Sequence, residues 1–406
     1  MDAFTFLHFR TATLLCLTWF GSCQDGPTLL SNNETDWRKI AAAPPLPIVP
    51  LSLEEYRAQA EEVAEAVRKQ GQNWVVGYPD KTYQKVPVEP FFLGAEPFPP
   101  PPQAEPSPPG PKGAPAPELP QIGYGRSKRM RRKLPALRAG GREGVFDPEY
   151  ERRGERPPID LPKRYDVRDD YPHCTSIGAI RSQSRCASCW AVTAASAMSD
   201  RHCIYNYHRA GQLEISAMQV ISCVPKGCNS GYEWDAFEYW VSRGLATGGS
   251  VYANQQEGCL PYPVSINATP ATCPRSCSTS YSRTFEQDTT YGGDHYVYWR
   301  PSVETIQREI YKYGPVVAYF TVYGDFYDKN YYRGGVYEYA WGKKIGNHLT
   351  KLIGWGTEGG IDYWQAVNTW GSAWGDKGYF KIRRGVNTVG IEDRFTGVLP
   401  REAVAD

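Results

Sequence analysis

The chain reads as an α+β protein: a helical half followed by a strand-rich half, carried behind a long N-terminal extension. Three observations lead there. Trp190 to His202 and Tyr232 to Arg243 read as helices, the first starting at Cys189. Farther on, Val316-Val317-Ala318-Tyr319-Phe320 and Tyr379-Phe380-Lys381-Ile382 have the β-branched and aromatic content and the alternation of strands. Between these regions and the extension the texture changes at about Ile159, where cysteine, glycine and aromatic residues rise and proline thins out.

The segments take their character in order. Residues 1–23 look like a removable leader: an early basic residue at Arg10, an apolar run from Thr11 to Phe20, and small residues at Gly21-Ser22 before Cys23. The apolar run is short for a membrane span, and no other run in the sequence is long enough. Residues 24–94 begin polar and Pro-rich, then give an amphipathic helix over 51–70. Ser52 and Glu55 have capping-box spacing, and Leu53, Tyr56, Ala60, Val63, Ala64 and Val67 fall three and four apart. Residues 95–158 form a linker. Twelve prolines between Ala95 and Pro120 exclude helix and sheet interior and favour an extended tether. Arg126, Lys128, Arg129, Arg131, Arg132, Lys133, Arg138 and Arg142 follow with no acid among them. On a secreted linker, Arg126-Ser127-Lys128-Arg129 is a site for a basic-specific convertase; a polyanion-binding reading would rest on this stretch alone. Residues 159–406 make the main domain.

Composition limits the function. Hydrophobic residues are 41% of the chain and aromatic residues 13%, enough for a packed core, while the net charge of +1 gives no case for nucleic acid or an acidic membrane surface. Of eleven cysteines, Cys16 and Cys23 fall in the leader; the other nine lie between Cys174 and Cys277. Nine is four disulfides plus one thiol, and a thiol kept in an oxidising compartment calls for a reason. Sequons at Asn33 and Asn267 fit the same route, Pro270 weakening the second.

Gln183-Ser184-Arg185-Cys186-Ala187-Ser188-Cys189-Trp190 carries the strongest chemistry. Cys186-x-x-Cys189 alone could be half a zinc site or a redox pair. The close pairs Cys223/Cys228 and Cys273/Cys277 do not repeat that spacing, so no metal and no cofactor are expected. A thiol attacks as thiolate, and an ordinary pKa of about 8.5 leaves little of it at neutral pH. A helix beginning at Cys189 favours the anion, and a neighbouring imidazolium favours it more. Among the six histidines, His348 stands apart, in the glycine-bounded apolar pattern Gly346 to Gly356, and Val367-Asn368-Thr369-Trp370-Gly371-Ser372-Ala373-Trp374-Gly375 follows twenty residues later.

These three segments, in this order, resemble the nucleophile, histidine and asparagine segments of papain-like cysteine peptidases. The resemblance implies a papain-like two-subdomain fold and these roles: Cys189 as nucleophile, His348 as general base, Asn368 as the residue that orients the imidazole, Gln183 as oxyanion donor, and Trp370 as cover over the His–Asn hydrogen bond and as a substrate-binding residue with Gly231 and Arg394. It narrows to the cathepsin B branch through Asp200-Arg201-His202-Cys203-Ile204 and Cys228-Asn229-Ser230-Gly231, with Gly231 at the backbone position that pairs with an extended substrate. Carried over by position, the disulfides are Cys174–Cys203, Cys186–Cys228, Cys223–Cys273 and Cys259–Cys277, one of roughly a hundred possible pairings. Asn73-Trp74 with Gly77 is similar to the branch's pro-peptide, so residues 24–94 are expected to be an inhibitory pro-segment. Implied partners are protein and peptide substrates, the chain's own pro-segment and cystatin-type inhibitors; the implied location is the secretory pathway, ending in the lysosome or the extracellular space.

The sequence also departs from that branch. Leu260 to Thr272, where the branch has a loop with two histidines for a substrate's carboxylate, is short and has none, so endopeptidase action is expected. Arg394 falls where the branch has an acidic residue in the wall of the second specificity pocket, which predicts poor cleavage after basic P2 residues and tolerance of acidic ones unless Arg394 reaches out to solvent. Ser184, Ala187 and Ser230 replace family glycines, which leaves open a catalytically weak or inactive extracellular binding protein on the same scaffold.

Overall fold

The computed structural model describes residues 52–77, 93, 95, 122–123, 160–206, 212–249, 258–263, 266, 268–270, 272–328 and 331–401. The leader, Asn33 and Asn267 of the two sequons, the basic stretch and nearly all of the Pro-rich linker lie outside them.

In chain order the elements used below are α1 (Leu53–Lys69), β1 (Val75–Val76), β2 (Ile122–Gly123), β3 (Tyr165–Asp166), α2 (Cys189–Tyr205), α3 (Ala217–Cys223), α4 (Glu233–Arg243), β4 (Gly292–Trp299), α5 (Val303–Tyr313), β5 (Val316–Tyr323), β6 (Tyr332–Gly334), β7 (Val336–Tyr337), β8 (Lys344–Glu358), β9 (Ile361–Val367), β10 (Tyr379–Arg383) and β11 (Arg394–Pro400). The capping box expected at the start of α1 forms: the Glu55 N–H donates to Ser52 Oγ at 3.2 Å and the Ser52 N–H to Glu55 Oε2 at 2.7 Å. Its apolar stripe, Tyr56, Ala60, Val63, Ala64 and Val67, is buried.

The helical half is built around α2, which is buried along nearly its whole length. A helix with no polar face belongs inside a core, and Ala191, Ala194, Ala195 and Ala197 let its neighbours come close. Trp190, Val192 and Met198 share one core with Val220 and Ile221 of α3, Phe237 and Trp240 of α4, and Val317, Leu349 and Val398 from the sheet. In the strand-rich half, one nine-stranded sheet runs β2-β4-β11-β5-β8-β9-β10-β7, with β3 paired to β8. Phe320 of β5 stands opposite His348 of β8 in antiparallel register. Gly354 marks where β3 crosses close over β8; a Cβ there would lie 2.1 Å from the carbonyl oxygen of Tyr165.

Buried ions tie the halves together. Lys351 of β8 reaches α2, with Nζ 2.6 Å from Asp200, 2.8 Å from Ser196 Oγ and 3.2 Å from the Ser176 carbonyl. Arg201 of α2 binds Glu309 of α5 at 2.9 Å and the Pro315 carbonyl at 2.8 Å.

Residues 52–77 of the extension dock on the strand-rich half. Tyr56 stacks on Tyr331 at 5.4 Å, Trp74 packs against Tyr332 and Tyr337, and β1 pairs with β6. Gln70 and Gln72 donate their side-chain amides to the carbonyls of Ala340 and Tyr339 at 3.0 Å each.

Candidate active site

Cys189 is the first residue of α2. It is buried and, among the described cysteines, the one outside a disulfide. The four disulfides are Cys174–Cys203, Cys186–Cys228, Cys223–Cys273 and Cys259–Cys277, the pairing that the family resemblance implies. The Cys186–Cys228 bridge pins the turn before the helix, where the Ala187 N–H donates to the Cys228 carbonyl at 3.2 Å. Ser188, the N-cap, makes no capping bond of its own; its hydroxyl lies 3.0 Å from that of Tyr262, which donates to the Gln183 carbonyl at 3.0 Å. The first-turn N–H groups and the positive end of α2 are thus directed at the sulfur's end of the helix.

His348 sits on β8, fully buried. Its strand packs against α2 through neighbouring residues. Lys351 meets Asp200 and Ser196, and one step toward the N-terminus on both elements Thr193 Oγ1 donates to the Leu349 carbonyl at 3.2 Å. Burial pushes the imidazole pKa down to about 4, against the raising effect of its bond to Asn368.

The hydrogen bonds fix the tautomer. Asn368 Oδ1 lies 2.8 Å from His348 Nε2 and also accepts the Thr369 backbone N–H at 2.8 Å. An atom that accepts a backbone N–H is the amide oxygen, so Nε2 carries the proton of the neutral ring and Nδ1 is the base. Nδ1 is buried with no hydrogen-bond partner. Trp370 packs on the imidazole with ring centroids 4.6 Å apart; being 3% exposed, it offers cover over the ring rather than an open surface for a substrate.

Thr369, which the sequence reading passed over, links two of the predicted residues. Beyond its N–H to Asn368, its hydroxyl donates to Gln183 Oε1 at 2.7 Å and its carbonyl accepts the Gln183 N–H at 2.8 Å. Gln183 Nε2 donates to the Cys186 carbonyl at 2.9 Å. The amide of Gln183 is therefore oriented with its nitrogen toward the nucleophile segment. The signal in the sequence was only a hydroxyl residue between Asn368 and Trp370.

Gly231 packs against the Trp190 ring so closely that a Cβ would lie 2.8 Å from it. Its backbone forms a parallel bridge with Ala95. Leu93 lies against Gly346, two residues before His348 on β8. The extension therefore crosses from the histidine strand to Gly231, and it does so at a residue that the sequence reading assigned to the linker.

Arg394 differs from expectation. It is 1% exposed and does not reach solvent. Its Nη1 pairs with Glu233 Oε1, and Nη2 lies 3.1 Å from Glu233 Oε2. A guanidinium so engaged does not offer the unbalanced positive charge on which acid tolerance at P2 was expected. Ser184 and Ser230 adopt positive φ, +55° and +75°, which glycine takes without strain; at the third position, Ala187, no such φ occurs.

The sequence from 161 to 399 matches the family model described as papain family cysteine protease, and the chain belongs to that family. Within it, the similarity is to cathepsin B-like proteins. Cathepsin B-like cysteine proteinase 3 of Caenorhabditis elegans is 43% identical over 252 residues, 59% of this chain and 66% of that protein, so the match stops just short of two thirds of the relative's length. Cathepsin B-like cysteine proteinase of Schistosoma japonicum is 39% identical over 268 residues, 59% of this chain and 76% of that protein. Among solved structures, proCathepsin B S9 from Trypanosoma congolense superposes with a TM-score of 0.60 at 28% identity, covering 84% of this chain and 97% of that one. The fold is thus papain-like and two-subdomain, with an N-terminal pro-peptide region. Among the described residues no helix is long and apolar enough to cross a membrane.

Proposed function

We propose that the chain is a cysteine-type endopeptidase made as a zymogen, with Cys189, His348, Asn368 and Gln183 as its working residues. The observation that carries the reading is the fixed tautomer: Asn368 holds the Nε2 proton, which leaves Nδ1 as the nitrogen able to take a proton. Cys189 gives its proton to Nδ1 and the sulfur attacks the scissile carbonyl. The oxyanion is received by the Cys189 backbone N–H and an N–H of the Gln183 side chain. The imidazolium protonates the departing amine and leaves a thioester. His348 then takes a proton from water, whose oxygen attacks the thioester, and returns it to the sulfur as the acid product leaves.

Residues 52–95 are the inhibitor of this site. The Leu93 and Ala95 contacts support that role, since both fall where an extended peptide would have to lie. Four disulfides favour the secretory pathway, lysosomal or extracellular. Endopeptidase action is supported by the short, histidine-free segment from Leu260 to Thr272. The test is hydrolysis after acid activation. Peptides with free and amidated C-termini should be cleaved at comparable rates, a strict need for a free carboxylate would overturn the endopeptidase assignment, and no hydrolysis of any peptide would favour an inactive binding protein.

A further inference from the structure

Tyr262 is buried, and its own backbone is held in place by the nearby Cys259–Cys277 bridge and by its N–H, which donates to the Gly249 carbonyl at 3.0 Å. Its hydroxyl meets both ends of the turn that leads into α2. The phenol donates to the Gln183 carbonyl at 3.0 Å, and the Ser188 hydroxyl lies 3.0 Å from the phenol oxygen. A phenol has one proton and a carbonyl only accepts, so the Ser188 hydroxyl is the donor of the second bond. Gln183 and Ser188 are both fully buried. The turn between them carries strain that has to be held: Ser184 stands at φ +55°, a conformation that costs a non-glycine residue roughly 1–2 kcal/mol. Ile266, four residues beyond Tyr262, grips that stretch as well. Its N–H donates to Ser184 Oγ at 3.3 Å, and its carbonyl accepts the Arg185 N–H at 3.0 Å.

We propose that Tyr262 is a positioning residue whose phenol sets the spacing of the two oxyanion donors. The inference rests on the peptidase reading above, in which those donors are the Gln183 side chain and the Cys189 backbone N–H. One donor belongs to the first residue of the turn, the other to the residue that follows its last. A single phenol oxygen binds both ends, so one atom fixes a separation that the strained backbone between them would otherwise have to hold alone. Thr369 orients the Gln183 amide; Tyr262 sets where the Gln183 backbone stands relative to Ser188. Donors fixed in advance stabilise the developing charge without having to move as it forms. Tyr262 is 4% exposed, and both of its side-chain hydrogen bonds go to the turn, so it acts through Gln183 and Ser188 and not on the substrate.

Acid-activated full-length chain carrying Tyr262→Phe, which keeps the ring and removes only the hydroxyl, tests this. Its kcat should fall about tenfold with KM within twofold of wild type. A peptide aldehyde, whose hemithioacetal oxygen takes the oxyanion position, should bind at least tenfold more weakly. Alkylation of Cys189 by iodoacetamide forms no oxyanion and should stay within twofold of the wild-type rate. Ser188→Ala removes one of the two bonds and should lower kcat about threefold, and the double variant should be no slower than Tyr262→Phe alone. A kcat within twofold of wild type in Tyr262→Phe overturns the proposal. So does alkylation that slows in parallel with kcat, since the hydroxyl would then support the nucleophile and not the oxyanion donors. Where Tyr262→Phe fails to fold, an unchanged kcat in Ser188→Ala overturns it equally. A wild-type chain that neither cleaves peptides nor reacts with iodoacetamide would instead overturn the peptidase reading beneath it.

Discussion

Acid should open the zymogen through His348. In the closed chain the imidazole is held neutral, with a pKa of about 4 against an ordinary 6.5, because burial penalises the cation. A group whose folded pKa is lowered favours the closed form above 6.5, and that contribution is lost as pH falls through 6.5 toward 4. Opening that exposes the ring takes the protonated fraction at pH 5.5 from about 3% to roughly 90% and costs the closed state about 1.4 kcal/mol, close to tenfold; by pH 4 the loss is about 3 kcal/mol. Asp325, which burial raises to about 6, does not cancel this. It holds the N–H groups of Ala340 and Trp341 within the main domain, so it belongs to closed and open forms alike. The assay is histidine NMR and hydrogen exchange at Val75 and Val76 in a Cys189→Ala chain, which cannot cleave itself. Opening should rise at least tenfold from pH 7 to 5.5 and lose that dependence in His348→Gln. A closed zymogen whose His348 is already protonated at pH 6, or opening that is flat with pH, would refute the reasoning.

Other changes have definite outcomes. Thr369→Val removes the hydroxyl that orients Gln183 and should lower kcat about tenfold with KM little changed, by steady-state kinetics. Lys351→Met strands Asp200 in the core and should destabilise by about 3–5 kcal/mol in urea unfolding, much of it recovered in Lys351→Met with Asp200→Leu. Ser230→Gly relieves a left-handed residue and should stabilise by about 1 kcal/mol in the same experiment. Tyr56→Ala breaks the stack on Tyr331 and should speed acid activation of the full chain by at least tenfold.

What was legible in the sequence follows a physical division. Local signals survived: the Ser52 capping box, the helix beginning at Cys189 and the strand around His348 each depend on near neighbours, and the structure has all three. Contacts between distant residues did not show. Nothing in the sequence marks Glu233 as the partner of Arg394, 161 positions away, or Lys351 as an ion that bridges the halves. The same holds for Ala95, which looks like the first residue of a Pro-rich tether yet bridges Gly231, because backbone pairing leaves no mark in side-chain composition. Arg394 shows the cost most clearly: its chemistry was read from its position in the family pattern, and its charge is balanced by a carboxylate on another element.

In the proposed mechanism one sulfur, at the head of α2, is activated by the imidazole of β8. An epoxysuccinyl thiol probe applied to the acid-activated chain, followed by peptide mass mapping, tests it most directly. The account requires a single adduct on Cys189 that disappears in Cys189→Ala and forms far more slowly in His348→Ala. An unlabelled chain, or an adduct on another cysteine, would contradict it.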